Sequence, residues 1–167
     1  MKILSSGNFY ARLCNKKKRY PLDGQIELTY RCNFNCIHCY CKGCEDKDRE
    51  LNTLQWEQIF DKIRKAGCVY VTFTGGDPLI REDFLELYSY VKKKGFIISI
   101  FTNGATLTNK IIDYLAKSPP YSIEITLNGI TKVTYEAITR VKGSFSKTLE
   151  NIKKIKDEAS IKEKDIL

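Results

Sequence analysis

Apolar and polar positions along this chain change period several times, in a regular order. Residues 25–31, QIELTYR, alternate and predict a strand. A cysteine-rich loop follows. From Asn52 or Thr53, either of which can cap a helix, Trp56, Ile59, Phe60 and Ile63 recur at helical spacing until Gly67 ends the run. Residues 68–74, CVYVTFT, are β-branched and aromatic and predict a second strand. After Gly75-Gly76-Asp77-Pro78, residues 83–94 predict a helix with Phe84, Leu87, Tyr88 and Val91 on one face and Gly95 beyond it. Residues 96–101, FIISIF, are nearly all apolar, as a strand buried on both faces is. Thr102-Asn103-Gly104 follows. Thr108 can then cap a short helix carrying Ile111, Ile112 and Leu115. Residues 121–127, YSIEITL, predict a fourth strand leading into Asn128-Gly129. A short helical piece precedes a last helix, capped by Ser144 and bearing Phe145, Leu149, Ile152 and Ile155.

Four β–α units in series predict an α/β fold with a parallel sheet, open or closed into a barrel. In such sheets ligands bind beyond the carboxyl ends of the strands. The cysteines, GGDP, TNG and NG all fall at that end, whereas the helix-to-strand turns opposite are short or bland. The pattern therefore places a candidate site before any residue is given a role.

Composition adds boundaries. The chain has 167 residues, 43% of them hydrophobic, enough for one globular domain with a sizeable core. No apolar run approaches the roughly eighteen residues of a membrane helix, and residues 1–14 lack the apolar centre of a signal peptide. A reducing cytoplasm is the expected compartment, where closely spaced cysteines more often bind metal than pair as disulfides. The formal net charge of +8 includes the blocks Lys16-Lys17-Lys18-Arg19 and Lys92-Lys93-Lys94. These read as solvated surface, with RNA, DNA or an acidic peptide as the alternative. Lys92 to Lys94 also suit the negative end of a helix.

Of seven cysteines, five crowd into one loop: Cys32, Cys36, Cys39, Cys41 and Cys44. Cys14 and Cys68 stand apart and read as small buried residues. Cys32-x3-Cys36-x2-Cys39 offers three soft thiolate donors, able to wrap three corners of a cubane iron–sulfur cluster. An electron-transfer cluster uses four thiolates; three leave one iron open to a substrate or cofactor, as in catalytic metal sites. A zinc site drawing on the five cysteines and His38 is the alternative, although only Tyr40 separates its two short-spaced pairs. Cys41 or Cys44 could instead supply a fourth ligand or a reactive thiol. His38 is the only histidine, and its main chain must lie beside Cys39.

These residues resemble the radical S-adenosylmethionine (SAM) enzymes. Cys32-x3-Cys36-x2-Cys39, with His38 before the last cysteine, is similar to that family's cluster motif, and Gly75-Gly76-Asp77-Pro78 resembles its GGEP motif. ITLNG at 125–129 resembles the family's fourth-strand segment, commonly ending Ser-x-Asp-Gly, and YEAITRVKGSFSKTLENI at 135–152 resembles the stretch after it in the subgroup that modifies peptides and protein side chains. The resemblance covers roughly residues 25–155. It implies a 4Fe-4S cluster on Cys32, Cys36 and Cys39, whose fourth iron is chelated by the amino and carboxylate groups of S-adenosylmethionine. It also implies that Gly75, Gly76, Asp77 and Pro78 face the amino end, Thr126 the ribose or carboxylate, Arg140 the carboxylate, and the main chain at His38 the adenine. Asn103 is a further candidate at the cofactor, or a plain turn residue. Reductive cleavage would release a 5′-deoxyadenosyl radical that abstracts hydrogen, and a reductant such as flavodoxin or ferredoxin is implied.

The family core has six β–α units, and four are visible here. The expectation is therefore a partial TIM-like barrel over residues 25–160, with an N-terminal extension (1–24) and a short tail (161–167). Its fourth strand would leave an open edge suited to self-association or a partner. Three function classes follow: a radical SAM enzyme acting on a peptide or protein, an inactive cluster-binding fragment, and a zinc-dependent nucleic-acid module.

Overall fold

The computed structural model describes residues 21–43 and 50–164, with side chains described through residue 158. Cys14, Cys44 and the 16–19 basic block lie outside the described residues. In chain order the elements are β1 (Asp23–Thr29), α1 (Thr53–Ala66), β2 (Tyr70–Gly75), a 3-10 turn (Pro78–Ile80), α2 (Phe84–Lys93), β3 (Ile97–Thr102), α3 (Asn109–Lys117), β4 (Ser122–Ile125), α4 (Lys132–Thr139) and α5 (Ser144–Lys164).

Local chemistry explains the boundaries. Asn52 and Gln55 form a reciprocal capping box at α1, and Gly67 closes that helix in the left-handed region at φ 105°. Thr108 caps α3 by accepting from the Ile111 N–H. The strands form one parallel sheet in the order β1-β2-β3-β4. The register aligns Ile26, Phe73, Ile100 and Ile123 across all four strands, and Gln25, Thr72, Ser99 and Ser122 in the adjacent row. Successive strand residues point to opposite faces, so one sheet face is apolar and the other largely polar.

All three crossover helices cover the apolar face. Trp56 and Phe60 of α1, Phe84, Leu87, Tyr88 and Val91 of α2, and Ile111, Ile112 and Leu115 of α3 join Val71, Phe73, Ile98 and Ile100 in one core. Phe60 meets Phe73 at a 5.8 Å centroid distance. Each such fully buried side chain contributes about 1.5–3 kcal/mol. Successive neighbours with every helix on one side make a curved, barrel-type wall rather than a doubly wound sheet.

Two sequence expectations change. The FIISIF strand is buried on one face only, alternating half-buried and buried from Ile97 to Thr102, because no helix covers the other face. Helix α5 does not bury an apolar stripe: its buried positions are Ser144, Thr148 and Asn151. Phe145 packs on Tyr135 and Ile155 reaches the core, while Leu149 and Ile152 stay half-buried. The polar stripe is used to hold a loop at the site.

Candidate functional site

The site is built where β1 ends. Glu27 pairs with Thr74 and Thr29 with Gly75, so one residue, Leu28, bulges out of the ladder. Bulges at barrel rims bend a strand and free a carbonyl. Here the Leu28 carbonyl accepts from buried Arg81 (Nη1, 3.0 Å), whose Nε and Nη2 also grip Asp83 at 2.8 and 2.7 Å. Glu50 accepts from the Thr29 hydroxyl and from Arg31 Nε. The chain entering Cys32 is thus fixed by charge-assisted hydrogen bonds from segments about twenty to fifty residues away in sequence.

The cysteine loop is clamped from the other side by α4. The Asn35 N–H donates to the Thr139 carbonyl (3.1 Å) and the Ile37 N–H to Ile138 (3.0 Å). These are last-turn carbonyls, which a helix cannot satisfy internally. Buried Phe34 sets its ring edge-on to Tyr135 at 6.3 Å. The Cys39 N–H turns back to the Cys36 carbonyl (3.3 Å). As a result Cys32, Cys36 and Cys39 line one cavity of about 340 Å³, together with His38 and Tyr40.

Gly75 and Gly76 line the same cavity. Their loop lies directly on the chain that feeds Cys32: Gly76 N–H donates to Thr29 (2.8 Å) and Asp77 N–H to Arg31 (2.9 Å). A Cβ at Gly75 would stand 2.2 Å from the Thr29 oxygen, and φ there is +120°. A Cβ at Gly76 would stand 2.3 Å from the Arg31 oxygen. Only glycine permits this approach.

Asp77 itself points away from the cavity and is fully buried. Its Oδ1 accepts from Leu79 N (3.0 Å) and Thr106 Oγ1 (3.0 Å), and its Oδ2 from Thr102 Oγ1 (2.8 Å) and Asn103 N (2.9 Å). Burial pushes its carboxyl up, and these four donors pull it back. The carboxylate therefore ties the glycine loop to the loop after β3. Helix α5 secures that loop from behind: Asn151 Nδ2 donates to the Gly104 carbonyl (2.8 Å) and Thr148 Oγ1 to the Asn103 carbonyl (3.3 Å).

The loop so held presents Asn103 to the cysteines. Its Nδ2 lies 3.6 Å from Cys32 Sγ and 2.7 Å from Asn33 Oδ1. The Phe34 N–H points at the same sulfur, 3.4 Å away. Burial pushes the Cys32 thiol up to about 11, against the pull of these two donors, and the Asp77 charge adds to the rise. Burial and the neighbouring Cys39 also raise Cys36.

The arrangement suits a cluster. Among the described residues no three His, Cys, Asp or Glu side chains converge on one point, as a lone metal ion requires. Thiolates that hold a cluster each bind a different iron and stand around it instead. Three soft donors lining one cavity of about 340 Å³ with Gly75 and Gly76 fit that need.

Of the residues singled out in the sequence, Cys32, Cys36, His38, Cys39, Gly75, Gly76, Asn103 and Thr126 line the cavity. Asp77 and Pro78 are buried behind it, Pro78 as the first residue of the 3-10 turn. Arg140 is exposed and does not line it; it ends α4 in the left-handed region at φ 58°. Cys41 is buried beside Cys32 and Cys39 in a smaller adjoining pocket. Gln25, Thr74 and Phe101 complete the cavity from the uncovered sheet face. Their alternation with core residues was the available signal. Arg81, Glu50, Thr148 and Asn151 act through partners remote in sequence, which no local pattern reveals.

Comparison with known proteins shows the family and the fold. The family model of the radical SAM superfamily matches residues 26–162. The mycofactocin maturase MftC of Mycolicibacterium smegmatis is 36% identical over 129 residues, 75% of this chain and 33% of that protein. The same maturase from Mycobacterium tuberculosis H37Rv is 34% identical over the same shares. The chain thus spans about a third of the curated relatives it matches. Streptococcus suis SuiB bound to its precursor peptide SuiA superposes with a TM-score of 0.74 at 20% identity, over 89% of this chain and 33% of that one. The anSMEcpe enzyme with bound AdoMet and a peptide superposes at 0.65 and 18% identity, over 83% and 40%. Both likenesses establish the fold.

Proposed function

Because the chain belongs to the radical SAM superfamily, we propose that Cys32, Cys36 and Cys39 hold its 4Fe-4S cluster and that the adjoining cavity takes S-adenosylmethionine, to modify a peptide or protein. The observation that carries this is that the three thiols line one cavity together with Gly75 and Gly76. Backbone groups of the glycine loop meet the amino end of the cofactor, Thr126 its ribose or carboxylate, and the main chain at His38 its adenine. The role of Arg140 at the carboxylate rests on the resemblance alone. When bound and reduced, the cluster supplies the electron that cleaves the sulfonium to methionine and a 5′-deoxyadenosyl radical. The protein's own part is to position the cofactor and exclude water. A flavodoxin or ferredoxin is the proposed reductant. A peptide substrate is supported by the precursor peptide bound to SuiB and the peptide bound to anSMEcpe, and the uncovered sheet face, with Glu27, Thr74 and Phe101, is its proposed seat. Zinc-dependent nucleic-acid binding is not favoured.

The test is anaerobic. The reconstituted chain is reduced with S-adenosylmethionine present and the products are separated by chromatography. The proposal expects 5′-deoxyadenosine, lost in Cys36→Ala. A fully loaded, reduced chain that yields none is a cluster-binding fragment, and the catalytic proposal fails.

A further inference from the structure

We propose that Asn103 is a positioning residue for the cluster's electronics: its side-chain amide donates a hydrogen bond to the Cys32 sulfur and raises the reduction potential of the cluster bound there. This rests on the ligand assignment above and goes beyond it, since it concerns a sulfur rather than S-adenosylmethionine.

The orientation of the amide is determined by its surroundings. Asn103 Oδ1 accepts from the Ala105 N–H at 2.9 Å. The oxygen is therefore engaged on the loop, and the two N–H donors of Nδ2 are left for the opposite side. There one reaches Asn33 Oδ1 at 2.7 Å, a normal hydrogen bond, and the other lies 3.6 Å from Cys32 Sγ, a distance suited to the larger sulfur. Reversing the amide would set an N–H against the Ala105 N–H and an oxygen against the Asn33 oxygen, so the alternative orientation loses two bonds.

The backbone of Asn103 is over-determined as well. Its N–H is held by Asp77, its carbonyl by Thr148, and the next carbonyl, of Gly104, by Asn151. Gly104 has no room for a side chain, because a Cβ would stand 2.9 Å from Ile125. These backbone restraints fix the position from which the Asn103 side chain reaches Cys32.

Hydrogen bonds to cluster sulfurs are among the determinants of reduction potential. A donor withdraws charge from the thiolate and favours the reduced cluster, the state that delivers the electron. Cys32 receives two such donors, the Phe34 N–H and the Asn103 amide. Only the second can be removed by substitution.

The experiment compares the reconstituted wild type with Asn103→Leu, which lacks the donor at similar size, and Asn103→Asp, which keeps the acceptor for Ala105 and adds negative charge. Iron and sulfide are counted first, and each cluster is then titrated potentiometrically by electron paramagnetic resonance. At the wild-type midpoint potential, the reduced-to-oxidised ratio is expected to fall about tenfold in Asn103→Leu, a shift of about 59 mV for one electron. Asn103→Asp is expected to shift further the same way. The Fe–S(Cys) stretching band should rise in Asn103→Leu as the hydrogen bond is lost. If all three proteins hold four irons and share one midpoint and one band, the inference is overturned and the ligand assignment stands. If the wild type holds no cluster, or holds it equally in Cys32→Ala, the ligand assignment falls and the inference with it.

Discussion

Replacing Gly76 by alanine separates close approach from backbone strain. Gly76 is not held at positive φ, so alanine there carries no left-handed cost, and a Gly→Ala change at a compatible position stabilises by about 0.4–1 kcal/mol. Here the added Cβ would stand 2.3 Å from the Arg31 oxygen and 2.6 Å from the Tyr30 oxygen. Both are backbone atoms on a segment fixed by Glu50 and Arg81, so neither can turn aside. The loop must retreat by more than an ångström to reach ordinary contact. That stretches Gly76 N–H to Thr29 and Asp77 N–H to Arg31, now 2.8 and 2.9 Å, beyond hydrogen-bonding range. Two lost backbone bonds cost about 1 kcal/mol each, and leaving their buried partners unsatisfied adds about 1–3 kcal/mol. The net destabilisation is about 3 kcal/mol. With a urea slope of about 2 kcal/mol per molar, the unfolding midpoint falls by roughly 1.5 M. Gly43 is the control: it sits at φ +83°, and a Cβ there would meet nothing within 4 Å, so Gly43→Ala carries only the left-handed cost of about 1–2 kcal/mol. Urea melts followed by circular dichroism decide the matter. A Gly76→Ala protein that melts with the wild type, or above Gly43→Ala, refutes the reasoning that this loop is built on contact with the segment feeding Cys32.

Other outcomes follow from the same contacts. Asp77→Asn puts an amide N–H against a backbone N–H in either orientation, at Leu79 or at Asn103, and should cost about 1–3 kcal/mol in a denaturant melt. At Asp83 burial alone would raise the carboxyl, but Arg81 and Thr53 outweigh it and hold it below the usual carboxylate range. That stabilisation is present above the unfolded-state carboxylate range and is lost as pH falls through the lower folded value, so the acid limb of an unfolding curve should flatten in Asp83→Asn. The same change takes the bidentate carboxylate from buried Arg81, leaving it Glu50 at 3.9 Å and two backbone carbonyls, and should cost about 1–3 kcal/mol at neutral pH. Arg140→Gly should raise stability by about 1 kcal/mol by relieving the left-handed conformation, read as a higher urea midpoint. Strand β4 pairs only with β3 among the described residues, and Tyr121, Leu127, Ile130 and Val133 stand exposed nearby. The chain should therefore self-associate in sedimentation velocity, and a monodisperse monomer with strongly protected β4 amides would oppose this.

Much of this arrangement was legible in the sequence because it is local. Alternation marked β1, β-branched and apolar runs marked β2 and β3, and helical spacing marked the helices between strands, while caps such as Asn52 and Thr108 act within three residues of themselves. The one-sided placement of CxxxCxxC, GGDP and TNG located the cavity because parallel crossovers bring every strand's carboxyl end to one rim. What was not legible is long-range. FIISIF looks buried on both faces because Ile97 and Phe101 are apolar, yet they face the uncovered side where a ligand would sit. The sequence predicts a Phe145, Leu149, Ile152 and Ile155 stripe for helix α5, and of these Ile155 reaches the core; the loop after β3 has carbonyls to satisfy, and Thr148 and Asn151 do that. Asp77 gave no hint that its carboxylate faces inward and joins two loops. Arg81 and Glu50 carry no periodic signal, since each matters only through partners that folding brings near.

The central claim is that Cys32, Cys36 and Cys39 hold a four-iron cluster. Anaerobic reconstitution followed by iron and sulfide analysis and Mössbauer spectroscopy tests it most directly. The account predicts four irons per wild-type chain, loss of the cluster in each of Cys32→Ala, Cys36→Ala and Cys39→Ala, and full occupancy in Cys68→Ala, whose sulfur lies in the core. A chain that takes up stoichiometric zinc in place of iron, or keeps four irons after any of the first three changes, contradicts it.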